Sequence, residues 1–240
     1  MVTGANTGIG QGIALAIVRA GGRVIGVGRS PMEETARLVA ELGGAFEPVQ
    51  ADLASASATQ SMLDDAWDRL GPIDGLVNNA GIIRRADAVD VAEADWDAVM
   101  DVNLKSMFFL CQSLARRAFA GGHGVKIVNI ASVLSFQGGI RVAAYTASKS
   151  GVVGITRLLA NEWAARGINV NAIVPGYIDT NNTAALLADP DRSEAILSRI
   201  PAGRWGQPSD IGDSAVFLLS RASNYIHGAA LSVDGGWLAR

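Results

Sequence analysis

Short apolar runs rich in Val and Ile alternate along the chain with longer stretches in which apolar residues recur every three or four positions. The short runs predict strands, and the longer stretches predict amphipathic helices. The predicted strands are residues 23–28, 46–50, 73–78, 125–131, 168–174 and 229–233, and the predicted helices lie near residues 9–20, 31–42, 57–70, 93–119, 145–166 and 208–220. This alternation is typical of parallel βα units, and it predicts an α/β fold with a doubly wound parallel sheet of about seven strands and helices on both faces.

The start of the chain departs from this pattern. Met1-Val2-Thr3 is followed at once by a glycine-rich segment, which leaves almost no room for the central strand that should precede it. Two explanations stay open: the first strand is a stub, at some cost in stability, or the protein starts further upstream.

Length and composition limit the kind of protein. With 240 residues and no repeat or linker, the chain is expected to form one domain over residues 1–240. Hydrophobic residues make up 49% of the chain, but no apolar run reaches the roughly 18 residues that cross a bilayer, and the N-terminus lacks the layout of a secretory signal. The lone Cys111 excludes an intrachain disulfide and fits a reducing compartment, while a net charge of −3 without a basic cluster argues against nucleic acid. We therefore expect a cytoplasmic protein that binds neither membranes nor nucleic acid and has no metal site.

The glycine-rich segment Thr3-Gly4-Ala5-Asn6-Thr7-Gly8-Ile9-Gly10 lies between the first strand and the first predicted helix. Its glycines follow a G-x-x-x-G-x-G spacing. Glycine permits positive φ and a close approach of the backbone to a phosphate, and the N-terminus of a helix attracts anions. The segment therefore predicts a site for the pyrophosphate of a dinucleotide.

Ser132, Tyr145 and Lys149 form the second candidate group. Tyr145 and Lys149 are four residues apart, so they share one face of a helix. A phenol titrates near pH ~10, and a nearby ammonium should lower the pKa of Tyr145 and suit it to acid–base work. Ser132 follows the predicted strand 125–131, at the edge where open α/β sheets bind ligands.

Together, and in this order, the motifs resemble those of the classical short-chain dehydrogenase/reductase family over essentially the whole chain. The matching pieces are residues 3–10, Asn78-Asn79-Ala80-Gly81, Asn103, Ser132, Tyr145-x-x-x-Lys149 and Pro175-Gly176-x-x-x-Thr180. The resemblance implies a Rossmann-like fold and hydride transfer with NAD(H) or NADP(H). It implies four catalytic residues. Tyr145 would exchange a proton with the substrate oxygen, Ser132 would hydrogen-bond that oxygen, Lys149 would lower the tyrosine pKa and hold the nicotinamide ribose, and Asn103 would hold a proton-relay water.

The same resemblance implies a set of cofactor-binding residues. They are Gly4, Asn6, Thr7, Gly8, Ile9 and Gly10 at the pyrophosphate, Arg29, Ser30, Asp52 and Leu53 around the adenosine, Asn79, Ala80 and Gly81 beside its ribose, and Tyr145, Lys149, Pro175, Gly176, Ile178 and Thr180 near the nicotinamide. For Asp52, a cap on the following helix is an equally good interpretation. The choice of dinucleotide stays open. No acid follows the second strand, so Arg29 and Ser30 permit a 2′-phosphate, whereas the subfamily resemblance described next favours NAD(H).

Several less general segments are similar to those of the 2-dehydro-3-deoxy-D-gluconate 5-dehydrogenases, also called 2-deoxy-D-gluconate 3-dehydrogenases, of bacterial uronate breakdown. These segments are residues 81–85, 134–141, 176–183, 199–206 and 233–240. The similarity implies a keto or hydroxy sugar acid as substrate, whose carboxylate and hydroxyl groups call for Arg and for amide or hydroxyl partners. The candidate substrate residues are Ser132, Gln137, Arg141, Asn181, Asn182 and Arg204. Residues 177–207 are expected to cover the substrate.

Two other functions stay open. A 3-oxoacyl carrier-protein reductase shares the fold and the catalytic residues, but it needs an apolar acyl channel, and segments 134–141 and 177–183 are polar. A catalytically silent cofactor-binding protein would keep its function after Tyr145→Phe. The family resemblance also implies a homotetramer, held by helices 93–119 and 145–166 and by the apolar chain ending with Trp237 and Leu238.

Overall fold

Seven parallel strands form one sheet in the computed structural model, which describes residues 1–240. The strands are β1 (Val2–Thr3), β2 (Val24–Gly28), β3 (Phe46–Gln50), β4 (Gly75–Asn78), β5 (Val125–Ile130), β6 (Ile168–Pro175) and β7 (Ala230–Val233). Their order across the sheet is β3-β2-β1-β4-β5-β6-β7. The strand order reverses between β1 and β4, and this is the switch point at which open α/β sheets bind ligands. The predicted fold class is confirmed.

Nine α-helices connect the strands. They are α1 (Gly8–Arg19), α2 (Glu33–Glu41), α3 (Ala56–Leu70), α4 (Glu93–Met100), α5 (Ser106–Gly121), α6 (Ala143–Trp163), α7 (Ala184–Leu187), α8 (Pro190–Leu197) and α9 (Pro208–Leu219). Two apolar clusters place helices on both faces of the sheet. Leu63 of α3 and Leu110 of α5 belong to one cluster, and Ile13 of α1 and Ile211 of α9 belong to the other. No helix is both long enough and apolar enough to cross a membrane.

The first strand is two residues long, yet it pairs on both sides. Val2 lies opposite Gly26 of β2 and Val77 of β4. The amine of Met1 is buried and donates a hydrogen bond to the carbonyl oxygen of Gly75 at 2.7 Å. β1 therefore carries the glycine-rich segment into the centre of the sheet despite its length.

The predicted helix 93–119 is interrupted. Between α4 and α5, residues Asp101–Lys105 form a π-helical turn, and the Ser106 N–H donates to the carbonyl of Asp101. A π-turn adds one residue to a helical turn, so apolar periodicity alone does not reveal it. This turn contains Asn103, and its consequence appears at the site.

Candidate functional site

A crevice opens at the carboxyl ends of the central strands. Its main cavity, of about 300 Å³, is lined by Gly4, Asn6, Thr7, Gly8, Ile9, Asn79, Ala80, Gly81, Ile130, Ala131, Ser132, Tyr145, Lys149, Pro175, Gly176, Ile178, Thr180, Asn181, Asn182 and Thr183. These residues follow β1, β4, β5 and β6 or lie at the start of α1 and within α6. The fold therefore brings the glycine-rich segment and the Ser132–Tyr145–Lys149 group to one cavity, as the sequence predicts.

The glycines of the turn have two structural roles: some adopt positive φ, and one allows close packing. Gly4 and Gly8 have positive φ values of 68° and 55°, which glycine adopts without strain. Gly10 does not line the cavity; a Cβ there would lie 2.1 Å from the carbonyl oxygen of Gly4. Gly10 lets helix α1 pack closely on the turn, and its predicted contact with the cofactor stays a prediction.

A second cavity, of about 180 Å³, adjoins the first and shares Gly4, Asn6, Ala80 and Gly81 with it. Arg29, Ser30, Asp52 and Leu53 line this cavity, as predicted for the adenosine side. The Arg29 side chain forms no ion pair within the chain. The two linked cavities, the glycine turn at the N-terminus of α1 and this unpaired guanidinium suit an elongated phosphate-bearing dinucleotide.

The alternative interpretation of Asp52 as a helix cap is wrong. Its Oδ1 accepts from the backbone N–H of Ala54 at 3.0 Å, whereas the cap of α3 is Ser55, whose hydroxyl accepts from Ala58. Asp52 is therefore free to keep its place on the cavity wall.

Thr3 fastens the end of β4 to the glycine turn. Its Oγ1 accepts from the backbone N–H groups of Asn79 and Ala80, each at 3.0 Å. The Asn79 side chain in turn donates to the carbonyl of Thr3 at 3.0 Å. These hydrogen bonds hold the segment after β4, which lines both cavities, against the end of β1.

The catalytic candidates come from two elements. Ser132 lies two residues after the end of β5, and its hydroxyl accepts from the N–H of Leu134 at 3.2 Å. Tyr145 lies in the first turn of α6, and Lys149 follows one turn later with its Nζ 5.7 Å from the centroid of the tyrosine ring. The Lys149 ammonium is buried and donates to the carbonyl of Ile130 at 2.7 Å.

Lys149 is not among the groups that act on the pKa of Tyr145 in this structure, so its predicted effect on the tyrosine stays a prediction. Burial raises the pKa of Tyr145 above its usual value, while hydrogen bonding with Ser132 and the charge of Arg85 act in the opposite direction. Burial lowers the pKa of Lys149 to about 8. At neutral pH Tyr145 keeps its proton, as a donor must.

Asn103 lies in the π-turn, and its side-chain amide makes three hydrogen bonds to the chain. Its Oδ1 accepts from the N–H of Ile82 at 2.8 Å, and its Nδ2 donates to the carbonyl of Ile82 at 2.9 Å and to the Ser148 hydroxyl at 3.2 Å. That hydroxyl donates to the carbonyl of Tyr145 at 2.8 Å. The amide thus joins the segment after Gly81 to the catalytic helix; a role in holding a relay water stays a prediction.

Three of the six candidate substrate residues lie at the main cavity, namely Ser132, Asn181 and Asn182. Asn181 also donates from Nδ2 to the Thr7 hydroxyl at 3.4 Å, which links the covering segment to the glycine turn. The covering segment itself contains the short helices α7 and α8.

The structure does not bring the other three to the cavity wall, and each has a partner elsewhere. Gln137 accepts from Trp237 Nε1 at 2.9 Å, and Arg204 donates twice to Asp210, at 2.8 and 2.9 Å. Arg141 pairs with Asp87, with Nε 3.2 Å from Oδ1. In this structure these three residues therefore make contacts within the chain and do not line the main cavity.

Some neighbours of the site were not predicted. Thr183 lines the main cavity, and its hydroxyl donates to the carbonyl of Ile178 at 2.6 Å and accepts from the N–H of Thr180 at 3.0 Å, which fixes the turn after β6. Ile82 lines the adenosine-side cavity. Arg85 acts on the pKa of Tyr145. The unusual Gly81–Arg85 segment was the available signal for the last two.

Comparisons with known proteins agree with this geometry. The family model described as enoyl-(acyl carrier protein) reductase, a short-chain dehydrogenase/reductase model, matches residues 4–238. The 2-dehydro-3-deoxy-D-gluconate 5-dehydrogenase of Dickeya dadantii is 55% identical over 240 residues, covering 100% of this chain and 95% of the relative. The enzyme of the same name from Escherichia coli is 56% identical with the same coverage.

A solved structure is similarly close. A crystal structure of an Agrobacterium tumefaciens protein with bound NADP superposes with a TM-score of 0.95 at 58% identity, and the match covers 100% of this chain and 95% of that one. Because the family model spans nearly the whole chain and the catalytic residues share one cavity, this chain belongs to the short-chain dehydrogenase/reductase family of NAD(P)-dependent oxidoreductases.

Proposed function

We propose that this chain is a 2-dehydro-3-deoxy-D-gluconate 5-dehydrogenase (2-deoxy-D-gluconate 3-dehydrogenase), which interconverts a keto sugar acid and its hydroxy form. The observation that carries the proposal is full-length identity of 55% and 56% to two enzymes with the first of these names. The polar groups Ser132, Asn181 and Asn182 at the main cavity support it, because a sugar acid offers hydroxyl groups to each of them.

The dinucleotide supplies or accepts the hydride, and the chain manages the proton and the developing charge. In reduction, the protonated phenol of Tyr145 donates to the carbonyl oxygen of the substrate. Ser132 stabilises the negative charge that grows on this oxygen. Lys149, held against Ile130, lies on the same cavity wall and would hold the nicotinamide ribose of a bound dinucleotide. In oxidation the proton moves back to Tyr145.

For the choice of dinucleotide, we propose that Arg29 and Ser30 let the enzyme use NADP(H). Both side chains line the adenosine-side cavity, and Arg29 has no competing acidic partner. A guanidinium pairs strongly with phosphate oxygens. The Arg29→Asp variant should lose about 10- to 100-fold in kcat/KM with NADPH and keep its activity with NADH. Arg221→Asp, which changes an exposed arginine outside both cavities, serves as the control.

Residues 177–207 are proposed to close over the substrate. The segment supplies Ile178, Thr180, Asn181, Asn182 and Thr183 to the cavity, and α7 and α8 follow directly. Closure would exclude water from the path of the hydride, which is a gating role.

Substrate assignment is tested with a panel of keto sugar acids and acetoacetyl thioester, each supplied with NADH and with NADPH. The proposal expects turnover of the keto sugar acids and little turnover of the thioester. A preference for the thioester would make the chain an acyl carrier-protein reductase instead. Tyr145→Phe must abolish turnover while leaving cofactor binding measurable; unchanged function in this variant would indicate a silent binding protein.

We also propose a cytoplasmic homotetramer. Leu158 on α6 is 46% exposed, which suits pairing of this helix with a second copy. Trp237, expected at an interface, is only 4% exposed and packs on Tyr177 within its own chain, so it is unavailable for such a contact. Light scattering at micromolar concentration should give the mass of four chains; a monomer would rule out the assembly.

A further inference from the structure

We propose that Trp237 is a positioning residue, which holds the turn after Ser132 in place by a hydrogen bond to Gln137. The Nε1–H of Trp237 donates to Oε1 of Gln137 at 2.9 Å, between residues that are 100 positions apart in the chain. The inference deepens the proposed function, because it rests on the roles of Ser132 and Tyr145 in that reaction. It does not depend on which sugar acid is the substrate.

The turn after Ser132 has few hydrogen bonds to the rest of the chain. Two of them join residues 133–140 to other elements. The Ser135 hydroxyl donates to the carbonyl of Lys149 in α6 at 2.7 Å, and Gln137 accepts the indole N–H. The Gln137 contact is therefore the one hydrogen bond that fixes this turn to an element other than the catalytic helix.

The indole ring of Trp237 is itself held in place. Trp237 is 4% exposed, and its ring centroid lies 4.2 Å from Cζ of Arg199 and 4.7 Å from the ring centroid of Tyr177. A guanidinium over an indole and an edge-on aromatic ring are both attractive contacts. Tyr177 lies between Gly176 and Ile178, which both line the main cavity, so the indole is anchored next to the cavity wall.

The backbone of Trp237 is fastened to the end of β7. Asp234 directly follows this strand, and its carboxylate accepts from the N–H groups of Gly236 and Leu238, each at 2.9 Å. The carbonyl oxygen of Asp234 accepts from the backbone N–H of Trp237 at 3.2 Å. Because β7 pairs with β6, which ends at the main cavity, Trp237 presents its indole N–H from a fixed part of the sheet.

A second tryptophan shows that the ring contacts and the N–H contact are separate features. Trp205 also packs edge-on against Tyr177, with the ring centroids 5.5 Å apart. Its buried Nε1–H has no hydrogen-bond partner within the chain. Trp205 therefore shares an aromatic neighbour with Trp237 but does not hold the turn after Ser132, which makes it a matched control.

The position of Ser132 has a measurable consequence at the phenol. Hydrogen bonding with Ser132 lowers the pKa of Tyr145. Two charged groups also face this phenol, and the variants described next keep both: Arg85, whose charge lowers the same pKa, and Lys149, whose Nζ is 5.7 Å from the ring centroid. If the turn loosens, the contribution of Ser132 is lost and the pKa of Tyr145 rises, so the oxidation rate rises only at higher pH.

The test removes the hydrogen bond from either side. Trp237→Phe deletes the N–H and keeps an aromatic ring, and Gln137→Leu deletes the acceptor. We would measure kcat, KM and the pH profile of oxidation with a substrate that the wild type oxidises, which is a hydroxy sugar acid under the proposed function. Each variant should lower kcat by roughly 3- to 10-fold, as for the loss of one hydrogen bond, and should move the rise of the rate to higher pH. KM should stay within about twofold, since neither side chain lines the main cavity.

Double variants separate positioning from general destabilisation. Because Trp237 and Gln137 share one hydrogen bond, combining Trp237→Phe with Gln137→Leu should lower kcat no further than either change alone. In the Ser132→Ala background, Trp237→Phe should shift the pH profile no further, because its effect passes through Ser132. Trp205→Phe should leave the profile unshifted.

The inference is overturned by an unshifted profile in both single variants, by a further shift in the Ser132→Ala background, or by an equal shift in Trp205→Phe. A raised KM with an unshifted profile in Gln137→Leu would make Gln137 a substrate contact and overturn it too. If urea denaturation shows that one single variant does not fold, the other decides. If Ser132→Ala leaves the rate and the profile unchanged, the proposed catalytic role fails and the inference fails with it. If Ser132→Ala shifts the profile and the single variants do not, only the present inference fails.

Discussion

The ammonium of Lys149 donates a hydrogen bond to the carbonyl oxygen of Ile130 at 2.7 Å. Ile130 is the last residue of β5, and Ser132 follows two residues later. This contact fixes the lysine between β5 and α6, on the wall of the crevice. It also explains how a side chain that is 4% exposed can carry a charge at neutral pH, although burial lowers its pKa to about 8. Keeping the Lys149 ammonium charged while it is buried should lower the free energy of unfolding.

Lys149→Met should abolish turnover with little change in folding stability at pH 7. Removing a charge whose pKa falls from 10.5 to about 8 removes a burial cost of ~3 kcal/mol, and losing the hydrogen bond to Ile130 costs ~1.5–3 kcal/mol. The two effects nearly cancel. The measurement is urea denaturation of both proteins.

The pH dependence of the same pair gives a sharper comparison. Between pH 8 and 10.5 the unfolded chain holds a proton at Lys149 that the folded chain has lost, so wild-type stability should rise with pH across this window. The methionine variant should lack this contribution. A destabilisation of more than ~4 kcal/mol at pH 7, well beyond the hydrogen-bond cost, would contradict the account.

Ser132→Ala should change both the rate and its pH dependence. Hydrogen bonding with Ser132 lowers the pKa of Tyr145, so its loss should move the rise of the oxidation rate to higher pH. kcat should fall by about 10²- to 10³-fold, as for the loss of an oxyanion donor. Ser150→Ala, at an exposed position of α6, is the matched control and should leave the profile unshifted.

Asn103→Ala should destabilise the fold by about 2–4 kcal/mol, because the N–H and carbonyl of Ile82 both lose their partner. It should also raise KM for the dinucleotide, since Gly81 and Ile82 line the adenosine-side cavity. Asn161→Ala, which loses a single exposed hydrogen bond to Arg157, is the comparison. Equal stability loss in the two variants would refute the bracing role.

The sequence predicts the sheet and most of the helices, since apolar periodicity records which side of each element is buried. It also predicts Ser132, Tyr145 and Lys149 at one cavity, because the carboxyl ends of parallel strands share an edge. It does not predict the π-turn at Asp101–Lys105, where one additional residue leaves the apolar pattern almost unchanged.

The ion pairs of the arginines are a second feature that the sequence alone does not predict. Arg141 and Arg204 lie in segments that suggest substrate contact, but whether a charge is free depends on acids that the fold places beside it. Asp87 is 54 residues from Arg141 in the chain, so no local pattern could reveal the pair. The same holds for the pKa of Tyr145, because burial and Arg85 act on it through space. Motifs locate the reacting groups, whereas their electrostatic surroundings require the three-dimensional structure.

The last prediction compares Gly10, in the glycine turn, with Gly154, in helix α6. Gly10→Ala would place a methyl group 2.1 Å from the carbonyl oxygen of Gly4, in backbone that cannot yield, so the variant should fold poorly or lose dinucleotide binding. Gly154→Ala, within α6, meets no atom within 4 Å and should stabilise the chain by about 0.5–1 kcal/mol, because alanine is the better helix former. Denaturation and dinucleotide fluorescence titration of both variants provide the measurement. Normal dinucleotide binding by Gly10→Ala would contradict the close packing of helix α1 on the turn. It would also contradict the position of the cavity at the N-terminus of α1.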